Sequence, residues 1–299
     1  MTSESAGPPW MAYHPDGSIH ISGVPDRLLH HPEMQRRGIR LAYALKPGVV
    51  FRAAMDGPQF VVKVVDLDTE ELPISRRLRG LSSPRNHAVP CEIYDDEHPL
   101  LIMPYLAQLY SLIVWDCPSL DRLLEIFQDL AEGVDFLHQQ HIAHLDICYG
   151  NVVAALSQHV AEHPSLVIGR TYIIDFDTSR QLALGPGSQH AIALPPTQIR
   201  PPNGLKHFDP YSWDVYCLGQ LYKKLIKDFS FVRQYSPRIA HWYAQWLIGD
   251  ERGCHTPCRC RPTARTVCRV LSMLRVVSPI IEVCERLYDR YFVRSPTRP

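Results

Sequence analysis

The sequence predicts an α+β chain in two lobes, a β-rich N-lobe followed by a helical C-lobe. Three observations carry this. Short β-rich runs divided by turn signals crowd the first third, helical text fills the remainder, and the two meet near "IMPYL". With 299 residues, 45% hydrophobic and 21% charged, the chain can bury a sizeable core in each lobe, which excludes disorder for most of it.

Taken in order, residues 1–38 carry Pro8, Pro9, Pro15, Pro25 and Pro32, a composition that favours an irregular leader. From Ile39, "IRLAYAL", "GVVFRAA" and "QFVVKVVDL" read as three antiparallel strands separated by "KPG" and "MDGP" turns. "TEELPISRRLRGL" spaces Leu72, Ile74, Leu78 and Leu81 as a helical stripe, with Pro73 in its first turn. "PLLIMPYL" reads as a buried strand ending at Pro104. "SLDRLLEIFQDLAEGVDFLHQQH" is the clearest helix, capped by Ser119, with Leu123, Leu124, Phe127, Leu130, Val134 and Leu137 on one face. It leads into "HLDICYGN". "NVVAAL" and "TYIIDFDTS" follow as short strands, then a Pro- and Gly-rich passage from about 184 to 210 without periodicity, a length usually reserved for functional loops. The rest, through "SWDVYCLGQLYKKLI", "IAHWYAQWLI" and "TARTVCRVLSMLRVV", is helical. The expected divisions are an N-lobe over about 39–103, a hinge at 104–106 and a C-lobe over 107–277. A C-terminal helix and basic tail would occupy 278–299.

Composition narrows the partners. Formal net charge is +0, from 31 basic and 31 acidic side chains, so no bulk attraction draws the chain to nucleic acid or an anionic membrane. The start lacks a basic segment followed by an apolar run, and "CRVLSMLRVV" is interrupted by arginines. Nine cysteines at irregular spacing suit reduced thiols. An intracellular chain, cytoplasmic or nuclear, is expected.

Phosphoryl transfer from a nucleotide needs cations for the phosphates and carboxylates for the metal and the acceptor hydroxyl. Candidates occur in a consistent order. Lys63 lies in a β-run that could aim its ammonium, and Glu71 on the next helix could pair with it. Asp146 could orient the acceptor hydroxyl, while Asn151 and Asp175 could supply hard oxygen ligands for Mg²⁺.

At this point the chain, from about Ile39 to Leu274, resembles the eukaryotic protein kinase superfamily. "VVKVV" resembles the β3 lysine segment, "HLDICYGN" the catalytic loop, "IIDFDTS" the metal-binding segment, "DVYCLG" the buried aspartate helix and "RPTA" the late arginine motif. The resemblance implies ATP and Mg²⁺ as cofactors and transfer to a protein hydroxyl. Lys63 would contact phosphates with Glu71 as its ion-pair partner, Asp146 would be the base, and Asn151 and Asp175 the metal ligands. Met103 would line the back of the adenine pocket, with Pro104, Tyr105 and Leu106 presenting backbone groups to the base. His144 would support the loop as a packed histidine, Asp214 would hold it by hydrogen bonds, and Arg261 would brace the activation segment.

Departures from the family's pattern are equally specific. Only Gly48 stands where a G-x-G-x-x-G loop is expected. Leu145 replaces the catalytic-loop arginine, Cys148 stands where many serine/threonine kinases carry a lysine, and Asp177 replaces a glycine. Two alternatives follow: a pseudokinase acting as a binding scaffold, or a phosphotransferase of the aminoglycoside and choline type, whose loop and acidic residue after the metal aspartate are similar.

Separately, "CHTPCRC" places Cys254, His255, Cys258 and Cys260 where they could hold Zn²⁺, although C-x₃-C-x-C is not a standard finger spacing. The basic tail offers Ser295 and Thr297 as modification sites.

Overall fold

Prolines that read as breakers start helices instead. The structure, a computed structural model, describes residues 10–57, 59–202, 206–249, 260–288 and 290. Pro25 precedes α1 (Asp26–Leu29), and Pro32 opens α2 (Pro32–Arg37), where its fixed φ suits the first helical position and its missing N–H costs nothing. His31 Nδ1 accepts the Glu33 amide, and Gly38 ends α2 at φ +64. The irregular leader expected over 1–38 is therefore corrected for its described part: Trp10, Leu28 and Met34 are buried against a sheet.

That sheet has five antiparallel strands in the order β1-β2-β3-β5-β4. They are β1 (Leu41–Lys46), β2 (Val50–Ala53), β3 (Phe60–Val64), β4 (Glu92–Tyr94) and β5 (Leu100–Pro104). Alternation sends Phe51, Val62, Val64, Leu100 and Ile102 to the face that meets α1 and α2. On the other face Leu101 packs with Leu72 of α3 (Glu71–Arg79), whose Pro73 sits in the first turn as the sequence requires. Lys63 pairs with Leu101 in register and so belongs to that second face.

Helices dominate the remainder. After β6 (Ala107–Gln108) come α4 (Leu109–Asp116), α5 (Leu120–Gln139) and β7 (Ile142–Ala143). Next are β8 (Val152–Ala154), α6 (Ser157–Glu162), β9 (Thr171–Ile173) and β10 (Arg180–Gln181). The chain ends through β11 (Ile192–Ala193), β12 (His207–Phe208), α7 (Pro210–Arg233), α8 (Arg238–Ile248) and α9 (Ala264–Tyr288). Strands β6, β8 and β9 form a small antiparallel sheet, and β7 pairs with β10.

Ser119 caps α5 by accepting the Arg122 amide at 3.2 Å. The apolar face of α5 packs on α7 and α9 around Leu124, Phe127, Trp213, Tyr222 and Tyr243, with the Phe127 and Tyr222 rings stacked at 3.9 Å. The boundary expected at 277/278 falls inside α9, which runs through Pro279. Ser278 Oγ lies 2.9 Å from the Arg275 carbonyl, the group that Pro279 leaves without an amide donor. Glu282 accepts the Leu120 amide at 2.8 Å, placing a carboxylate at the N-terminus of α5. Among the described residues no helix is long and apolar enough to cross a membrane.

Candidate active site

Lys63, Glu71 and Asp175 come from β3, the start of α3 and the turn after β9, and they meet in one cluster in which Lys63 and Glu71 are buried and Asp175 is half-buried. Lys63 Nζ donates to Glu71 Oε1 at 2.7 Å and also forms an ion pair with Asp175 Oδ1. Glu71 Oε1 accepts the Phe176 amide at 3.1 Å, while its Oε2 is buried with no hydrogen-bond partner. Asp175 adopts φ +65, a left-handed conformation that Asp enters more readily than most residues. Burial opposes the Lys63 charge, but the two carboxylates outweigh it and hold the ammonium pKa above its ordinary value. Burial also opposes the Asp175 charge, and Lys63 outweighs it, so that carboxyl is held low. For Glu71 burial is the larger effect and pushes the carboxyl up, offset in part by Lys63.

The second half of the site is the loop from His144 to Asn151. Leu145 is buried at φ +68, which costs an apolar L-residue roughly 1–2 kcal/mol. Asp214 of α7, fully buried, holds this conformation. Its Oδ1 accepts the Leu145 amide at 2.7 Å, and its Oδ2 accepts the His144 amide at 2.8 Å and His138 Nε2 at 3.0 Å. Trp213 Nε1 donates to the Leu145 carbonyl at 2.8 Å. His144 Nε2 donates to the Ile174 carbonyl at 3.1 Å while Nδ1 accepts the Asp146 amide at 3.3 Å, so one ring ties the loop to the strand end that leads to Asp175. Burial holds this imidazole below its ordinary pKa. Asn151 Nδ2 donates to both the carbonyl and Oδ2 of Asp146, at 3.0 and 2.9 Å.

Two participants escape a reading by motif. Gln198, from the passage between β11 and β12, donates its backbone amide to Asp146 Oδ1 at 2.8 Å. Its Nε2 lies 3.0 Å from Asp146 Oδ2 and 3.2 Å from Asn151 Oδ1. Lys46, at the end of β1, lies 3.5 Å from Asp177 Oδ2 and helps to lower the Asp175 pKa. The long aperiodic loop was the only signal for the first; a lysine beside a Gly turn was the signal for the second.

The other expected residues that the structure describes lie around this cluster or against the helices that follow it. The Tyr105 amide donates to the Gln59 carbonyl at 3.0 Å, so this backbone group is committed within the protein. Arg52 covers the Tyr105 ring at 3.7 Å, Leu106 is buried, and Pro104 closes β5. Met103 lines a cavity of about 580 Å³ behind α3 that also touches Glu71, Cys91, Arg170, Asp175 and Phe176, but not Asp146 or Asn151. Arg261 is buried between α7 and the end of α8, donating to the Ile248 carbonyl at 2.9 Å and to Ser212 Oγ at 3.3 Å. Of the proposed zinc ligands, Cys254, His255 and Cys258 lie outside the described residues and Cys260 is exposed; Ser295 and Thr297 also lie outside. Among the described residues no group of three or more His, Cys, Asp or Glu side chains is arranged to hold a metal ion.

Chemically, the cluster offers one ammonium facing two carboxylates, with the carboxylate and amide oxygens of Asp146 and Asn151 on the adjoining loop. Hard oxygen donors of this kind fit Mg²⁺ better than a soft ion. A glycine phosphate cradle fits less well: a Cβ on Gly48, at φ +69, would meet Met11 Sδ at 2.6 Å, so this glycine makes room for the leader. Comparison with protein-family models gives no match, and comparison with curated proteins finds no matching relative.

Proposed function

We propose that the chain is a phosphotransferase of the protein-kinase type in the two-lobed fold its sequence resembles, using ATP and Mg²⁺ to phosphorylate a Ser or Thr hydroxyl of a protein. The observation that carries this reading is the Lys63, Glu71 and Asp175 cluster. Buried charges are costly unless paired, and here two neighbouring segments and a third, 112 positions from Lys63, converge to set one buried ammonium between a buried and a half-buried carboxylate. Its surplus negative charge suits a further cation. Bound Mg²⁺ would neutralise charge between the phosphates; Asp175 and Asn151 are the residues to hold it.

In this reading Glu71 fixes Lys63 so that its ammonium can turn from Asp175 to phosphate oxygens. Asp146 accepts the acceptor's proton, held in place by Asn151 and by the loop that Asp214 anchors. Lys46 adds a second cation on the sheet side, near Asp177.

A non-catalytic scaffold is the second reading, and Cys148 favours it. Burial pushes this thiol up to about 11, so a neutral group stands where a cation is expected. Transfer of labelled phosphate from ATP separates the two. Wild type should label a general protein substrate, and Asp146→Ala should lower the rate roughly 100-fold or more. Transfer unchanged by that substitution refutes the base assignment, absence of transfer in wild type favours the scaffold, and label reaching only small alcohols moves the acceptor to that class.

A further inference from the structure

The contact between Gln198 and the catalytic loop joins the groups that proton acceptance and metal binding need. Gln198 uses its backbone amide on Asp146 Oδ1 and its carboxamide nitrogen on Asp146 Oδ2 and Asn151 Oδ1, at 2.8, 3.0 and 3.2 Å. The carboxamide lies over Gly150, where a Cβ would come within 3.3 Å of Gln198 Oε1, a close approach that the missing side chain leaves unobstructed. The segment is also fixed at its base. Ile192 pairs with Phe208 and Ala193 with His207, and Leu194 and Ile199 pack on the main core. Meanwhile Asp175 is occupied by Lys63.

We propose that Gln198 is a built-in latch: its donor hydrogens occupy Asp146 and Asn151, and loading of the site with a divalent cation and acceptor requires that contact to break. The inference rests on the phosphotransferase reading of those two residues. An amide N–H and a metal ion each bring positive charge to Asn151 Oδ1, and a metal at about 2.1 Å repels donor hydrogens held on that oxygen. Binding therefore competes with the latch, and removing the latch should raise affinity by the free energy of the hydrogen bonds that close it.

Mn²⁺·ATP affinity and amide hydrogen exchange over residues 191–201 test this in the full chain. Gln198→Ala removes the carboxamide; Gln198→Glu removes the same donors at nearly constant size and sets a carboxylate against Asp146. Both should speed exchange in the segment and tighten Mn²⁺·ATP on the order of tenfold, the scale of a hydrogen bond to a charged group. Exchange that matches wild type in both variants overturns the latch, as does faster exchange with unchanged or weaker Mn²⁺·ATP affinity. Absence of Mn²⁺·ATP binding in wild type and both variants is instead a failure of the phosphotransferase reading, and there exchange alone decides whether Gln198 holds the segment.

Discussion

Replacing Asp214 tests how the loop from His144 to Asn151 is held. The carboxylate is fully buried and accepts three donors: the Leu145 amide at 2.7 Å, the His144 amide at 2.8 Å and His138 Nε2 at 3.0 Å. Asp214→Ala leaves two backbone amides without an acceptor, at about 1–3 kcal/mol each, and removes the clamp that keeps Leu145 at φ +68. A loss of about 3–5 kcal/mol follows, near the upper end for a single substitution. Asp214→Asn keeps one oxygen but turns an amide nitrogen toward one of the donors, so it should lose about 1–3 kcal/mol and remain measurable if the alanine variant does not fold. Urea unfolding followed by tryptophan fluorescence reads both, with the midpoint moving and the slope unchanged. An alanine variant within about 1 kcal/mol of wild type would refute the clamp.

Two further outcomes follow from buried groups elsewhere. His87 is buried, its Nδ1 donates to the Thr171 carbonyl at 2.8 Å, and burial together with Arg170 holds its pKa down to about 4. Between about pH 6.5 and 4 the unfolded chain binds more protons at this residue than the folded one, so its contribution, up to about 3 kcal/mol, is lost as pH falls through that window. Asp129, pushed up to about 6 by burial, acts in the opposite sense, so the test is the difference between wild type and His87→Gln in urea titrations across that range; parallel curves contradict it. Gly219→Ala would set a Cβ 2.8 Å from Ile248 Cγ1 and 3.0 Å from the Ala244 carbonyl, where α7 and α8 meet. Overpacking against backbone should outweigh the gain in helix propensity, for a net loss of about 1–2 kcal/mol in the same assay, and a more stable variant contradicts that close approach.

Where the sequence carries strong periodicity, its reading and the structure agree. The apolar stripe and Ser119 cap of α5 and the β5 run lie within a residue or two of their expected limits, while β3 stops at Val64, three short of the run expected through Leu67. Proline was the ambiguous sign: at Pro25 and Pro32 it opens helices, and at Pro279 a helix passes through it with Ser278 beside the orphaned carbonyl. Strand β4 is only Glu92–Tyr94, too short for a pattern, and α4 is apolar almost throughout, so alternation cannot distinguish strand from helix there. In the site, Lys63 with Glu71 and Asp146 with Asn151 were legible because the partners are eight and five positions apart on recognisable motifs. Gln198 was not, because it reaches Asp146 across 52 positions from a stretch without periodicity.

Calorimetric titration of ATP, with and without Mg²⁺, into wild type and Asp175→Ala bears most directly on the central claim that the Lys63, Glu71 and Asp175 cluster forms a nucleotide and metal site. Wild type should bind ATP in a Mg²⁺-dependent way and gain about 2.7 kcal/mol of stability at a ligand concentration 100 times its Kd. Asp175→Ala should lose the Mg²⁺ dependence, because it removes the carboxylate that pairs with Lys63 and is proposed to hold the metal. No ATP binding by folded wild type, or equal Mg²⁺-dependent binding by both proteins, would contradict the account.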